Sequence, residues 1–417
     1  MTTVDKRTRF AGAVEVMGAE QLFGDLANRL QETGDVAARG VQVLDLPPLT
    51  FEVDGTAAHL VVADGVLQLR DGRAADGPEI GLDAAACSEL FQDLASTFGL
   101  VLPGRVEVLR PRADQFVAWE PVLRAAIDGR PVYEPGSIDF RDRDGNDLDL
   151  RRAFRIDDPR EDIGHFLAEA GYLHLEGVFT EAEMAAVSAE LDDAMAAATQ
   201  DDGASWWART EDGWYPSRIL GFNLKSPTLR ELTTSDRFTR IGELTDDSFV
   251  QRDPRTGDSA EGLLKKVGVL EGISDVSWHK DCSLGGHSRS CCGLTVGISV
   301  TGAQRRNGEL GVVAGSSRAN VQPLDVRPDL DLPRIPLPTN TGDVTVHCSC
   351  TLHMSRPPID QERRVVYTGF SLAPRDGDVH EDLDPEEIRR RRQALSDQVP
   401  SIERERIVSA EAFKLDA

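Results

Sequence analysis

Two histidines, an aspartate and an arginine are the residues of this sequence whose types and order point to chemistry. Trp278-His279-Lys280-Asp281 is followed by Gly342-Asp343, by Leu352-His353-Met354-Ser355, and by Glu362-Arg363-Arg364-Val365-Val366-Tyr367. Neutral imidazoles at His279 and His353 with an ionised carboxylate at Asp281 fill one face of an octahedral ferrous ion. Three positions stay open, as O2 beside a bidentate 2-oxo acid requires. A guanidinium can grip the far carboxylate of 2-oxoglutarate through two hydrogen bonds, so an arginine after the distal histidine separates this arrangement from a generic metal site.

The His-x-Asp pair says little alone, since eight histidines in so acidic a chain produce roughly one such pair by chance. His380-Glu381-Asp382 has the same form but lies in a charged segment with no histidine after it, and reads as surface. His174-Leu175-Glu176 sits on a strand-like run, 171–179, with no arginine-bearing strand at a comparable distance, and reads as a core or edge histidine. Only His279 and Asp281 have strand-forming sequence behind them, a second histidine at a strand end, and an arginine strand next.

The elements that must position these residues are short strands at 263–270, 275–278, 293–300, 308–313, 344–348 and 364–373, separated by Gly and Pro turns. They suit a double-stranded β-helix of jelly-roll type with flanking helices. Period-two alternation puts His279 and Asp281 on one face and Lys280 on the other. The stretch 323–341 is too proline-rich for a core strand and is expected to cross the barrel mouth. Ahead of the strands, Thr180-Glu181-Ala182-Glu183 forms a capping box, with Phe179 and Met184 as the staple of a helix reaching about residue 198. From 200 to 217 the sequence turns irregular and holds Trp206, Trp207, Trp214 and Tyr215. These aromatics either grip an apolar or planar substrate or pin the loop down. Arg218, Asn223 and Lys225 follow as sources of polar contacts. Lys265 and Lys266 lie near the site in sequence; Lys266 is assigned to the second carboxylate of the 2-oxo acid, against the plainer reading of a solvated edge lysine.

Residues from about 160 to 374 resemble the phytanoyl-CoA dioxygenase family of Fe(II)/2-oxoglutarate oxygenases. The matching pieces are Gly171-Tyr172-Leu173-His174-Leu175-Glu176-Gly177-Val178-Phe179, Trp278-His279-Lys280-Asp281, Asn307-Gly308-Glu309-Leu310-Gly311-Val312-Val313-Ala314-Gly315-Ser316-Ser317, and Gly342-Asp343 through His353 to Arg364. In that family the arginine stands eleven positions after the distal histidine, which selects Arg364 over Arg363, and Ser355 resembles the hydroxyl that shares the same carboxylate. Ser317 departs from the family's usual Gly-Ser-His. The resemblance implies Fe(II), 2-oxoglutarate and O2 as cofactors, with succinate and CO2 released as a small organic substrate of secondary or lipid metabolism is oxidised. Retention of Asp281 favours hydroxylation over halogenation; desaturation and ring formation stay open.

Composition sets outer limits. The chain of 417 residues is long enough for two domains, and its formal charge of -25 disfavours nucleic acid and anionic membrane surfaces as partners. No apolar run is long enough to span a bilayer and no h-region follows the N-terminal charges, so a cytoplasmic protein is expected. Cys282, Cys291, Cys292, Cys348 and Cys350 crowd the ligand-bearing segments. Their spacing is not that of zinc or iron-sulfur sites, and they read as small buried residues in a reduced compartment, Cys282 being close enough to the site for oxidation.

The region 1–135 reads as a smaller α+β domain. A helix at 19–33 precedes strands at 50–53, 58–63 and 66–70 with Asp54-Gly55 and Asp64-Gly65 turns, then a helix at 83–98, a strand at 104–109 and a helix at 113–127. The order weakly resembles sterol-carrier-protein-2-like domains; a structural or homodimerising appendage is the alternative. A linker at 136–158 and a charged helical tail at 375–417, with Arg389 to Arg392 on a solvated face, complete the division. Two other functions compete: a lipid-binding protein with an idle oxygenase domain, and a cupin-like metalloenzyme that uses no 2-oxo acid.

Overall fold

The computed structural model describes residues 14–372 except 102, 111–112, 201, 246–248, 252, 273–275, 285–292 and 323–329. The tail at 375–417, His380, Cys291 and Cys292 therefore lie outside the described residues.

The N-terminal unit runs α1 (Ala19–Leu44), β1 (Leu49–Val53), β2 (Thr56–Ala63), β3 (Val66–Asp71), β4 (Glu79–Leu82), α2 (Ala84–Phe91), α3 (Thr97–Val101), β5 (Glu107–Arg110), α4 (Ala113–Ala118) and α5 (Glu120–Asp128). Its sheet has the order β3-β2-β1-β4-β5. Both Asp-Gly pairs make the expected tight turns, with positive φ at Asp54, Gly55, Asp64 and Gly65, the mirror-image geometry that matches strand twist. Helix α1 runs well past residue 33, because Thr33, Gly34, Ala37, Ala38 and Gly40 stay buried and small enough for close packing. Phe51, Phe116 and Trp119 fill the space between sheet and helices. Sequence reading missed β4, whose four residues pair in parallel with β1.

The second unit continues with α6 (Arg160–Ala170), β6 (Tyr172–Leu175), α7 (Glu181–Ala197), β7 (Ser205–Thr210), β8 (Gly213–Ile219), α8 (Phe222–Lys225), α9 (Pro227–Thr233), α10 (Asp236–Thr239), β9 (Phe249–Val250), β10 (Ala260–Lys265), β11 (Val276–His279), β12 (Gly293–Ser299), β13 (Leu310–Val313), β14 (Arg334–Leu337), β15 (Val344–Cys348), β16 (His353–Ser355) and β17 (Arg363–Leu372). An eight-stranded sheet, β6-β15-β12-β17-β10-β8-β7 with β9 beside β17, accompanies a four-stranded sheet, β11-β16-β13-β14. This is the jelly roll expected. One face of the large sheet, through Val296, Ile298, Val344, Val346, Val366 and Phe370, joins the core with α6 and α7 residues such as Phe166, Leu167, Val187 and Leu191. The alternate residues are left to face the barrel interior.

Three local expectations are corrected. The aromatics at 206–215 lie on the β7-β8 hairpin, not in an irregular loop. Within 323–341, Arg334–Leu337 is a strand, and Pro336 is tolerated because β14 is the sheet edge, where no partner needs its missing N–H. The segment between the two units is no free linker: Ile138 and Phe140 pack on a cluster with Trp278, Val313 and Met354. Asn320 Nδ2 also donates to the Pro121 carbonyl at 2.8 Å, and α3 lies against the turn Asp281–Leu284.

Gly342 and Asp343 lock β15 in place. Gly342 has φ 87°, and a side chain there would collide with the Phe179 carbonyl. The Asp343 carboxylate receives His174 Nε2 at 3.0 Å and the backbone N–H groups of Gly177 and Asn340 at 2.8 and 2.7 Å. Burial alone would raise its pKa; those hydrogen bonds outweigh it and hold the group below the ordinary carboxylate value. Asp343→Asn is expected to destabilise the fold by about 1–3 kcal/mol at neutral pH. Because the folded pKa is depressed, the contribution is present above the unfolded value near 3.9 and disappears as pH falls through the folded one. Urea melts should therefore show the gap between wild type and Asp343→Asn closing below about pH 4, and a gap independent of pH would contradict the assignment.

Candidate metal centre and cosubstrate pocket

His279 ends β11 and His353 begins β16, and the two are register partners across the small sheet. Asp281 opens the 3-10 turn that follows β11. Asp281 Oδ1 lies 3.5 Å from His279 Nε2 and 3.4 Å from His353 Nε2. The three donors can converge on one ion. Lys280, between them, turns away and donates to the Ser316 carbonyl at 3.3 Å.

The donor chemistry fits a divalent cation. His279 Nδ1 contacts the Ser277 carbonyl at 2.8 Å and His353 Nδ1 the Thr351 carbonyl at 2.9 Å. A carbonyl can only accept, so each Nδ1 carries a proton, and a neutral ring would then present its Nε2 lone pair to a metal. Burial and the charge of His353 push His279 below its usual pKa, against partial support from Asp281 and Ser277. For Asp281, burial acts upward. The charge of His353 and hydrogen bonds from the histidines overcome it and hold the carboxyl well below its usual range. The site thus sets an ionised carboxylate between two imidazoles whose Nδ1 atoms are tied to backbone carbonyls. Thr295 donates to Asp281 Oδ2 at 2.6 Å, leaving Oδ1 toward the histidines.

Beside this centre two cations meet at Ser355. Lys265 Nζ donates to Ser355 Oγ at 2.6 Å and Arg363 Nη2 to the same atom at 3.2 Å. Lys265 and Arg363 are register partners on β10 and β17, both buried, and Arg363 Nε has no hydrogen-bond partner. Buried positive charge of this kind fits a carboxylate ligand.

Arg364 and Lys266, the residues assigned by sequence, face the wrong way. Arg364 Nη1 donates to Ser188 Oγ at 2.8 Å and pairs with Asp192 of α7 at 2.9 Å. Lys266 Nζ lies over the Tyr215 ring, 4.8 Å from its centroid. The physical reason is alternation: β17 turns Arg363, Val365 and Tyr367 one way and Arg364, Val366 and Thr368 the other, so a one-residue error reverses the face. Ser355 lies on the triad's side of the barrel, next to Arg363 and not Arg364.

A cavity of about 230 Å³ adjoins the triad, lined among others by Trp206, Arg218, Glu261, Leu310 and Tyr367. Trp206 and Arg218 are partners on the β7-β8 hairpin, with the guanidinium 4.5 Å from the ring centroid and 3.1 Å from Glu261. The other assigned substrate residues lie elsewhere. Trp214 is 49% exposed, Tyr215 packs with Ala208 and Leu264, and Trp207 Nε1 donates to Ser205 Oγ. Asn223 is fully buried; its amide donates to the Pro254 and Gly257 carbonyls and accepts from Ser259 and Ala260 N–H, which makes it a loop clamp. Sequence reading missed Thr295 and His347. Their signal was a polar residue at every second position of apolar strands, Leu294-Thr295-Val296 and Thr345-Val346-His347.

The sequence model of the phytanoyl-CoA dioxygenase family matches residues 167–365. The chain carries a phytanoyl-CoA dioxygenase domain. The family is one of oxygenases, and its span covers the triad, Lys265, Ser355 and Arg363 alike. No curated protein sequence matches the chain. Solved structures similar to it include AviO1 from Streptomyces viridochromogenes Tue57, 18% identical over 52% of this chain and 97% of that one, TM-score 0.41. The non-heme alpha ketoglutarate dependent epimerase SnoN from nogalamycin biosynthesis is 20% identical over 54% and 90%, TM-score 0.41. EctD from S. alaskensis is 15% identical over 53% and 81%, TM-score 0.42. Likenesses this distant assign no activity to the phytanoyl-CoA dioxygenase domain. Among the described residues no helix is long and apolar enough to cross a membrane.

Proposed function

We propose that this chain hydroxylates a small organic molecule, with His279, Asp281 and His353 holding Fe(II) and with Arg363, Lys265 and Ser355 holding 2-oxoglutarate. The observation that carries the reading is the pair of buried cations on Ser355 beside a two-histidine, one-carboxylate cluster. A metalloenzyme that used no 2-oxo acid would have no need of them. Iron with 2-oxoglutarate and O2 supplies an oxidant able to break a substrate C–H bond, with succinate and CO2 as co-products.

The chain's own residues do the rest. Arg363 and Lys265 neutralise and orient the distal carboxylate, and Thr295 fixes the Asp281 carboxylate. Trp206 offers a flat apolar surface beside the Arg218-Glu261 ion pair. That wall suits a substrate with a planar or apolar body and a polar group. Keeping Asp281 as a ligand favours hydroxylation, because halide transfer needs that position vacant.

An anaerobic absorption titration of the metal-free wild type with Fe(II), then 2-oxoglutarate, tests the cofactor assignment. A visible charge-transfer band that saturates with one equivalent of each is the expected result. A folded protein that binds Fe(II) without developing the band would overturn the 2-oxoglutarate assignment, and substrate-dependent succinate release with incorporation of labelled oxygen from O2 then tests hydroxylation.

A further inference from the structure

His347 lies on β15, whose Val344 and Val346 face the helices while Thr345 and His347 face the barrel interior. Its ring is 1% exposed and sits 4.1 Å from the His353 ring, centroid to centroid, at 44°. It lines the cavity that holds the triad. Nδ1 has no hydrogen-bond partner, and the one acceptor near Nε2 is Asp281 Oδ2, at a long 3.4 Å. A buried polar group without a good partner destabilises the fold, and a phenyl ring of similar size would avoid that cost. Such a group in a native fold calls for a reason.

His347 differs from its two neighbours in one respect. His279 and His353 each have a backbone carbonyl at Nδ1 that fixes the proton there and frees Nε2 for a metal. His347 has no such carbonyl, and it stands outside the group of three whose donor atoms converge. Coordination count points the same way. Four protein donors would leave two positions on an octahedral ion, too few for a bidentate 2-oxo acid and O2 together.

We propose that His347 is a positioning residue of the metal centre. Its Nε2–H joins the Thr295 hydroxyl in holding Asp281 Oδ2, so that the carboxylate offers only Oδ1 toward His279 and His353. A carboxylate free to rotate would bind through both oxygens and occupy a position that O2 needs. The proposal rests on the reading that His279, Asp281 and His353 hold the iron.

His347→Phe and His347→Gln, alone and with Thr295→Val, test it by metal binding rather than turnover. Glutamine keeps a donor near the Nε2 position and phenylalanine does not. Fe(II) affinity is expected to fall about tenfold in His347→Phe and to recover in His347→Gln, as carboxylate partners behind metal ligands usually show. The cobalt-substituted His347→Phe protein should also change its d–d absorption, which reports coordination number, and Thr295→Val should enlarge that change. Unaltered Fe(II) affinity and an unaltered cobalt spectrum in folded His347→Phe would make His347 a packing residue and overturn the proposal. Three imidazole nitrogen couplings in the copper-substituted wild type, falling to two in His347→Gln, would make it a ligand and overturn it equally. Failure of the wild type to develop a 2-oxoglutarate band would instead count against the cosubstrate reading, while the cobalt comparison still decides the hold on Asp281.

Discussion

Arg363→Ala is expected to raise the 2-oxoglutarate concentration for half-maximal charge-transfer absorbance by about 10- to 100-fold, while Arg364→Ala moves it by less than about twofold. Hydrogen bonds to charged groups contribute about 1.5–3 kcal/mol, and each 1.4 kcal/mol is tenfold in affinity. Arg363 is buried beside Ser355, where that interaction is little screened. Arg364 points to Ser188 and Asp192 on the far side of the strand. Its loss should appear in thermal stability, through the tie to α7, and not in cosubstrate binding. The opposite ranking of the two variants would show that the β17 register is shifted by one residue in solution.

Asp281→Asn is the second large effect. The substitution keeps the shape of the side chain and removes the charge that two imidazoles face at 3.4–3.5 Å. Removing the anionic partner of a buried ion pair costs about 3–5 kcal/mol, and with Asp281 32% exposed the lower end applies to its pairing with a bound cation. Fe(II) affinity should accordingly drop by about two to three orders of magnitude, measured by anaerobic competition against a chelator of known affinity. Retention of tight Fe(II) binding in Asp281→Asn would remove Asp281 from the ligand set and move attention to another donor.

The comparison of these two residues also shows what could be read from sequence. That His279, Asp281 and His353 come together was legible because motif spacing survives without knowing which way a strand faces. That Arg363 and Lys265 meet at Ser355 was not. Adjacent like residues, Arg363-Arg364 and Lys265-Lys266, differ only in strand face, and that is set by pairing β10 with β17 and by the helices packed behind them. Trp214 and Tyr215 were misplaced for a similar reason, since a hairpin sends alternate side chains to opposite faces while composition registers only a cluster. Asn223 could not be recognised as a clamp, because its partners come from a loop some thirty residues on. The jelly roll itself was accessible from its short strands and turns, whereas the long α1 and the four-residue β4 depended on small-residue packing and on parallel pairing that leave no local period.

Helix α3 of the N-terminal unit lies against the turn that carries Asp281. The turn is thus a wall common to both units, and a metal held by Asp281 would be linked to the folding of the N-terminal unit. Loosening of the first unit would then weaken the hold on a metal, and a bound metal would in return stabilise a unit that supplies none of the three candidate ligands.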